Sequence, residues 1–192
     1  NRHRKATYTM RREILMQADI KKRIKLFIED EAKALATSPM LLSEDMETIV
    51  AEVFPLGSDA LDRLFENEPD QFGKVLLQEA MELYEGRETA FTAEVMRKVE
   101  RDIYLQILDN LWMQHLENMD HLREGIHWIS VGQRDPLVEY RRQSQIMFEE
   151  MQLTLRHDVV RALFHAQPVD LDRTVETELT KAARKSVENA DQ

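Results

Sequence analysis

The sequence has no cysteine among its 192 residues, and only five glycines and five prolines. Without cysteine the chain can form no disulfide framework, no thiolate nucleophile and no cysteine-ligated zinc site. So few helix breakers argue against an all-β fold and against long loops. There is no run of about 18 apolar residues, so we expect no membrane-spanning helix. The start of the chain shows no signal-peptide pattern.

The chain also lacks the short motifs that bind phosphate or carry a nucleophilic serine. Neither GxxxxGK[ST] nor GxGxxG occurs, and GxSxG is absent as well. The sequence therefore predicts no nucleotide-binding loop and no catalytic residue in this chain. Because the first residue is Asn1 rather than Met, we expect the chain to be part of a longer protein.

Histidines and acidic residues offer a weak signal for a metal site. The stretch HLENMDH places His115 and His121 six positions apart, with Glu117 and Asp120 between them. Six helical positions correspond to about 600° of rotation, so the two imidazoles lie on nearly opposite sides of a helix. We expect no metal ion and no cofactor here, and we interpret His115 as a hydrogen-bonded interface residue.

What the sequence does contain is charge, at 32% of residues beside 43% apolar residues, with a net charge of −10. Residues 1–28 hold nine Lys and Arg against two acids, whereas residues 29–100 hold six against eighteen. The basic start is suited to phosphate or anionic lipid head groups. A solvated helix face is the favoured alternative. The acidic runs 29–31 and 149–150 are likewise interpreted as solvated faces rather than as acid–base catalysts.

The first part of the chain reads as one long helix followed by short helical segments. Apolar residues recur at helical spacing through residues 4–36 without Gly or Pro. Ser38 and Pro39 are typical of the cap and first position of a following helix. Punctuation at FPLGS and NEP divides residues 37–90 into short amphipathic segments. We therefore predict a scaffold helix over 1–36 and a small acidic helical subdomain over 37–90.

Two longer helices are predicted over residues 92–124 and 136–166. The first stripe runs from Val95 to Leu122, and the second begins at Leu137. Most methionines, including Met119, fall on these stripes and are expected in the core. Asp135 and Pro136 form a strong helix start. A connection of about ten residues between such helices predicts an antiparallel hairpin, which we call the finger. Its predicted structural residues are Trp112, His115, Met119, Asp135, Pro136, Tyr140 and Phe148.

The predicted tip of the finger, residues 125–136, reads GIHWISVGQRDP and is unusually apolar for a turn. One interpretation is that these side chains fold back on the end of the hairpin. The other is that the tip contacts a partner. Trp112 is expected to be buried and Trp128 exposed. The candidate contact residues at the tip are Ile126, Trp128, Ile129, Val131 and Gly132.

Residues 169–192 lose the apolar stripe and are predicted to be a polar tail or linker.

A family resemblance enters through ILDNLWMQHLENMDHLREGIH and QRDPLVEYRRQSQIMFEEM, within residues 95–148. These stretches closely resemble the C-terminal region of the SecA family, the ATPases that drive preproteins through the bacterial Sec channel. The start, NRHRKATYTMRREIL, is similar to the pattern of the family's long scaffold helix. Residues 37–90 agree only in character, and no match is clear beyond about residue 168. The matching positions are Leu111, Trp112, His115, Leu116, Met119, Asp120, Leu122, Arg123, Gly125, Ile126, Gln133, Asp135, Pro136, Glu139, Tyr140 and Phe148.

The resemblance implies a layout and a set of partners. Residues 1–36 and 91–168 would form the helical scaffold and the two-helix finger, with 37–90 as the helical wing. The finger would enter the channel mouth, and its tip would contact the translocating polypeptide. The other partners would be the motor domains of the same parent chain and, as a candidate, anionic lipid. ATP and Mg²⁺ would bind those motor domains, at the cytoplasmic face of the inner membrane.

At the tip the sequence departs from the family pattern. Where the family usually shows L-R-G-Y-A, this chain has Trp128, Ile129, Ser130, Val131 and Gly132. The family's tip tyrosine therefore corresponds to Val131, and its arginine to Ile129. A ring is lost at one position, and another is introduced at Trp128.

Two other functions compete with this interpretation. A free-standing helical adaptor would use the finger or the wing to bind a partner. If this chain is the end of a longer reading frame that carries a P-loop, the free-standing adaptor is disfavoured. A nucleic-acid binder would use the basic first helix, but the net charge of −10 disfavours contact with phosphates. We therefore expect no nucleic acid among the partners.

Because no phosphate-binding loop is present, we predict that the isolated chain neither binds nor hydrolyses ATP appreciably. Calorimetric titration with Mg-ATP checks this. Micromolar affinity would contradict it.

Overall fold

The computed structural model describes residues 2–16, 19–129 and 135–167, except for the side chains of residues 127–129. In this part of the chain there are helices but no strands, which confirms the predicted all-α class. Residues 169–192, predicted as a tail, lie outside the described residues. The helices are α1 (Arg2–Leu15), α2 (Ile20–Ala36), α3 (Met46–Val53), α4 (Ser58–Phe65), α5 (Phe72–Phe91), α6 (Ala93–Ile129) and α7 (Pro136–His165).

Helices α6 and α7 form the predicted antiparallel hairpin. Their 37 and 30 residues correspond to about 55 Å and 45 Å at 1.5 Å per residue. Phe148 and Leu155 of α7 are buried, and the Phe148 ring lies 5.6 Å from the His115 ring of α6. A helix was predicted over residues 136–166, and the observed bounds of α7 confirm that prediction.

Helix α1 lies antiparallel to α6 on the outside of this hairpin. Arg11 donates to Asp109 over 2.9 Å, and the Tyr8 and Trp112 rings are 6.5 Å apart. His3, one end of α1, contacts His115. As the residue numbers rise along α1, the numbers of the residues that they contact in α6 fall. The two helices therefore run in opposite directions. The finger base is therefore a packing of three helices.

A polar network joins α2, α5 and α6. Glu100 is fully buried and accepts from the Tyr84 hydroxyl over 2.6 Å and from Arg97 over 2.9 Å. Burial is the main cause that raises the pKa of Glu100, and burial likewise raises the pKa of Tyr84. Arg97 also lies 3.3 Å from Glu88, which pairs with Lys21 of α2 at 2.6 Å. Such a network is satisfied in only one arrangement of the helices.

Glu31 corrects the prediction that residues 29–31 form a solvated acidic face. Its side chain is buried, with 4% of the residue exposed. One carboxylate oxygen accepts from Arg156 over 2.9 Å, and the other lies 2.7 Å from Nδ1 of His157. Both partners lie on α7, more than 120 positions away, so sequence proximity could not reveal them. The carboxylate ties α2 to the finger.

The single helix predicted over residues 4–36 is wrong in one respect, because the structure divides it into α1 and α2. Asp19 precedes α2, and its carboxylate accepts from the backbone N–H of Lys22 over 3.1 Å. An aspartate that caps a helix start competes with continuation of the preceding helix. The apolar spacing continued across this break, which hid it.

The helix start predicted at Ser38 and Pro39 is also wrong. Residues 39–45 form turns and a bend, and α3 begins only at Met46. The hydroxyls of Ser38 and Ser43 accept from backbone N–H groups two residues further on. Such local bonds offer the backbone an alternative to a helix.

Thr92 reverses the chain between α5 and α6. Its φ of 71° and ψ of 153° lie in a region that is essentially restricted to glycine. Helix α5 continues past Gly86 without a break and stops only at Phe91. The sharp turn lets α6 fold back along α5 at the cost of backbone strain.

Replacing Thr92 with glycine should stabilise the protein. Relief of strain of about 1–3 kcal/mol exceeds the extra entropy of glycine in the unfolded chain, so we expect a gain of about 1 kcal/mol. Urea denaturation gives the free energy of unfolding. Thr89→Gly, on an exposed helical position, is the matched control and should lose a few tenths of a kcal/mol, about the difference in helix propensity between the two residues. Destabilisation by Thr92→Gly would show that its backbone is not strained.

Candidate protein-interaction finger

The stalk of the finger presents one apolar seam between its two helices. Helix α7 buries Phe148, Met151, Leu155 and Val159, all at helical spacing. The facing side of α6 buries Leu108 and His115. Val95 was predicted to lie on the apolar stripe of α6, but it is 38% exposed, so the prediction is wrong for this residue. The rest of the seam holds the two helices together over several turns.

The tip end of the finger is built by the predicted cap and by an extended α6. The Asp135 carboxylate accepts from the Leu137 N–H over 2.8 Å, and Pro136 is the first residue of α7. Helix α6 continues to Ile129, so the predicted second helix was too short and the predicted tip starts as helix. Ile126 is buried, with 6% exposed, which favours support of the hairpin from inside. The side chains of Trp128 and Ile129, together with Val131 and Gly132, lie outside the described residues.

Two apolar side chains near the tip are exposed, and neither was among the candidate contact residues. Leu137 is 55% exposed and Val138 is 60% exposed. Periodicity placed Leu137 on the core stripe of α7, but its side chain is mostly exposed in the first turn of that helix. Both residues belong to the first turn, which Asp135 holds in place.

The base of the finger is an aromatic and histidine cluster that joins α1, α6 and α7. The His3 ring stacks on Phe148 at 4.3 Å with an interplanar angle of 3°. Nδ1 of His3 lies 3.2 Å from Nε2 of His115, which is 3% exposed. The prediction of a hydrogen-bonded interface histidine at position 115 is thus confirmed. Trp112, predicted as buried, is only half-buried and contacts Tyr8 and His115.

Burial disfavours the protonated form of both His3 and His115. Desolvation is the main cause that lowers the pKa of His115, and the nearby His3 lowers it further. Burial also lowers the pKa of His3, and Arg2 adds to that effect. A hydrogen bond between two imidazoles needs one donor and one acceptor, so it requires at least one neutral ring. The folded state therefore favours neutral histidines.

The remaining predicted finger residues lie around this cluster. Met119 and Tyr140 are half-buried, whereas Asp135 and Pro136 are exposed. His121 has 80% of its side chain exposed, on the side of α6 away from His115. Within residues 2–16, 19–129 and 135–167, no group of three or more His, Cys, Asp or Glu is placed to hold a metal ion.

Among the described residues, none of the helices combines the length and the apolar character needed to cross a bilayer.

Helices that pack along one long antiparallel hairpin define an all-α protein built around that hairpin. The family described as "SecA Wing and Scaffold domain" matches residues 1–167. The chain therefore belongs to the SecA family, as the motifs in the finger predicted. The residues that match the family begin with α1 and end just after α7. They therefore include the hairpin and its base.

Relatives named as protein translocase subunits agree with this assignment. Protein translocase subunit SecA 1 of Thermobifida fusca is 32% identical, over 95% of this chain and 20% of the relative. Protein translocase subunit SecA of Micrococcus luteus is 35% identical over 87% of this chain, and that of a Nocardioides species is 36% identical over 87%. The chain spans about a fifth of the length of these relatives.

The lowered pKa values of His3 and His115 predict acid sensitivity at the finger base. A histidine whose folded pKa is depressed contributes stability that is present above its unfolded pKa, about 6.5, and is lost as pH falls through the folded pKa. We expect the wild type to lose more thermal stability between pH 7.5 and pH 5.5 than His3→Gln loses. Thermal unfolding followed by circular dichroism at both pH values measures this difference.

His121→Gln is the matched control, since that side chain is mostly exposed on the same helix. It should keep the wild-type pH dependence. An equal loss of stability in wild type and His3→Gln would contradict the role assigned to the histidine pair.

Proposed function

We propose that this chain is the scaffold and wing portion of a SecA-type ATPase motor that drives preproteins through the Sec translocon. Residues 1–36 and 91–168 form the scaffold and finger, and residues 37–90 form the wing. Family membership over residues 1–167 supports the proposal, as does a span of about a fifth of the relatives' length. The chain acts as a mechanical part and contains no catalytic chemistry of its own.

The finger contacts the channel and the translocating chain with its tip. The observation that supports this best is the pair of exposed apolar side chains, Leu137 and Val138, at the end of a stiff hairpin. A surface that meets many unrelated polypeptides cannot depend on specific hydrogen bonds, so it needs apolar contact on a rigid support. Trp128, Ile129, Val131 and Gly132 extend this surface along the sequence.

The strength of such contacts suits transient grip. Burying one large apolar side chain is worth about 1.5–3 kcal/mol. One or two such contacts give an affinity that is weak enough for the polypeptide to move on. Ile126 supports the contact surface from inside the hairpin, because its side chain is buried in the free chain.

The rest of the parent protein provides the energy. ATP and Mg²⁺ bind the motor domains of the parent, since this chain has no phosphate-binding loop. The parent works in the cytoplasm, peripherally associated with the inner membrane. Anionic lipid is a further candidate partner at that membrane surface.

Crosslinking tests the contact directly. A single cysteine at position 128, 131 or 137 of a cysteine-free parent should crosslink to a stalled preprotein that carries one cysteine. Glu117, on an exposed part of the stalk, is the matched control position and should crosslink much less. Equal crosslinking at Glu117 and at the tip would contradict the proposal.

Trp128→Ala separates the contact role from a folded-back cap. We expect slower translocation with little change in ATP binding or in thermal stability, because the tip adds little to the core. Normal translocation together with a loss of several degrees in Tm would show that Trp128 only covers the end of the hairpin.

A further inference from the structure

Two adjoining depressions lie along α1, and together we call them the α1 groove. One has a volume of about 560 Å³ and lies between α1 and the finger, and the other, of about 380 Å³, lies on α1 itself. They share Arg4. No carboxylate of the described residues lines either depression. In a chain with a net charge of −10, such a region is unusual.

The cations of the α1 groove form no ion pair within the part of the chain that the structure describes. Among the described residues, no acidic side chain pairs with Arg2, Arg4, Lys5, Arg12 or Arg141. By contrast, neighbouring cations are neutralised: Arg11 pairs with Asp109 at 2.9 Å and Arg23 with Glu13 at 2.6 Å. The groove therefore carries positive charge that no described carboxylate compensates, which favours an anionic partner.

The groove is also lined by rings and apolar groups. Trp112 and Tyr140 line the larger depression together with Leu116 and Met119, and Tyr8 lines the smaller one. Tyr8 is 55% exposed. Arginine, tyrosine and tryptophan are the residue types that dominate binding between proteins. A partner that fits must present apolar groups as well as negative charge, which free phosphate does not.

The spacing of the cations fits an extended polypeptide. Arg4 and Arg12 are eight helical positions apart, which is about 12 Å along α1 at 1.5 Å per residue. Two side chains four residues apart on an extended strand are separated by about 13 Å and lie on the same face. Acidic residues at that spacing would meet both arginines, and a single phosphate group would not.

We propose that the α1 groove binds an acidic, extended polypeptide segment in which apolar and acidic residues alternate. The carboxylates pair with Arg4, Arg12 and Arg141, and apolar side chains lie against Trp112 and Tyr140. This inference does not depend on the contact between the finger tip and the translocating chain. It gives a role to the basic start of the sequence, whose favoured interpretation was a solvated helix face.

The test is fluorescence anisotropy with the 192-residue chain and a labelled octapeptide in which glutamate alternates with valine or leucine. We expect saturable binding that weakens at least tenfold when salt rises from about 50 mM to 300 mM, because the contacts are ionic. Arg4→Glu combined with Arg141→Glu should weaken binding at least tenfold. Trp112→Ala should weaken it as well, while circular dichroism verifies that each variant remains helical.

A matched variant controls for net charge. Lys33→Glu combined with Lys74→Glu changes the net charge by the same amount at exposed positions outside the groove, and it should bind as the wild type does. Equal weakening by both double variants would overturn the proposal.

Three further probes test the charge complementarity and identify other occupants. A peptide with glutamine in place of glutamate should not bind, so equal binding of that peptide would overturn the charge complementarity. Displacement of the acidic peptide by equimolar inorganic phosphate would assign the groove to phosphate instead. Binding to phosphatidylglycerol vesicles that depends on Arg4, without binding of the peptide, would assign it to a lipid surface. Either result would overturn the proposal.

Discussion

The unbroken course of α6 is the constraint on which the rest of the structure depends. Its 37 residues contact α5 through Glu100, α2 through Tyr104, α1 through Asp109 and α7 through His115. Since each contact lies at a different height along one helix, the helix fixes the positions of its neighbours relative to the tip. A break in α6 would separate the base from the tip, and the finger would lose its stiffness.

Buried polar groups give each junction its register. Glu100 joins α5 to α6, Glu31 joins α2 to α7, and the His3–His115 pair joins α1 to the hairpin. A buried polar group without a partner costs about 1–3 kcal/mol, so a shift of one helix past another is disfavoured at every junction. Apolar packing alone would tolerate more sliding. These groups therefore help to turn a set of amphipathic helices into a defined scaffold.

The helices and the hairpin could be predicted from the sequence, because apolar periodicity and the Asp135–Pro136 cap act locally. The break before Asp19 and the burial of Glu31 could not, since the first was hidden by continuing apolar spacing and the second depends on side chains of α7. The exposure of Leu137 was missed for a related reason. Apolar periodicity predicts which face of a helix is buried, but it does not predict whether a neighbouring helix covers that face at a given turn.

Continuity of α6 can be measured by electron paramagnetic resonance distances between spin labels at Glu94 and Glu124. Both positions are exposed, and the chain has no cysteine, so two introduced cysteines give clean labelling. An unbroken helix places these positions about 45 Å apart, at 1.5 Å per residue. The account predicts a narrow distribution near that distance. A broad distribution, or a maximum well below it, would contradict a stiff finger.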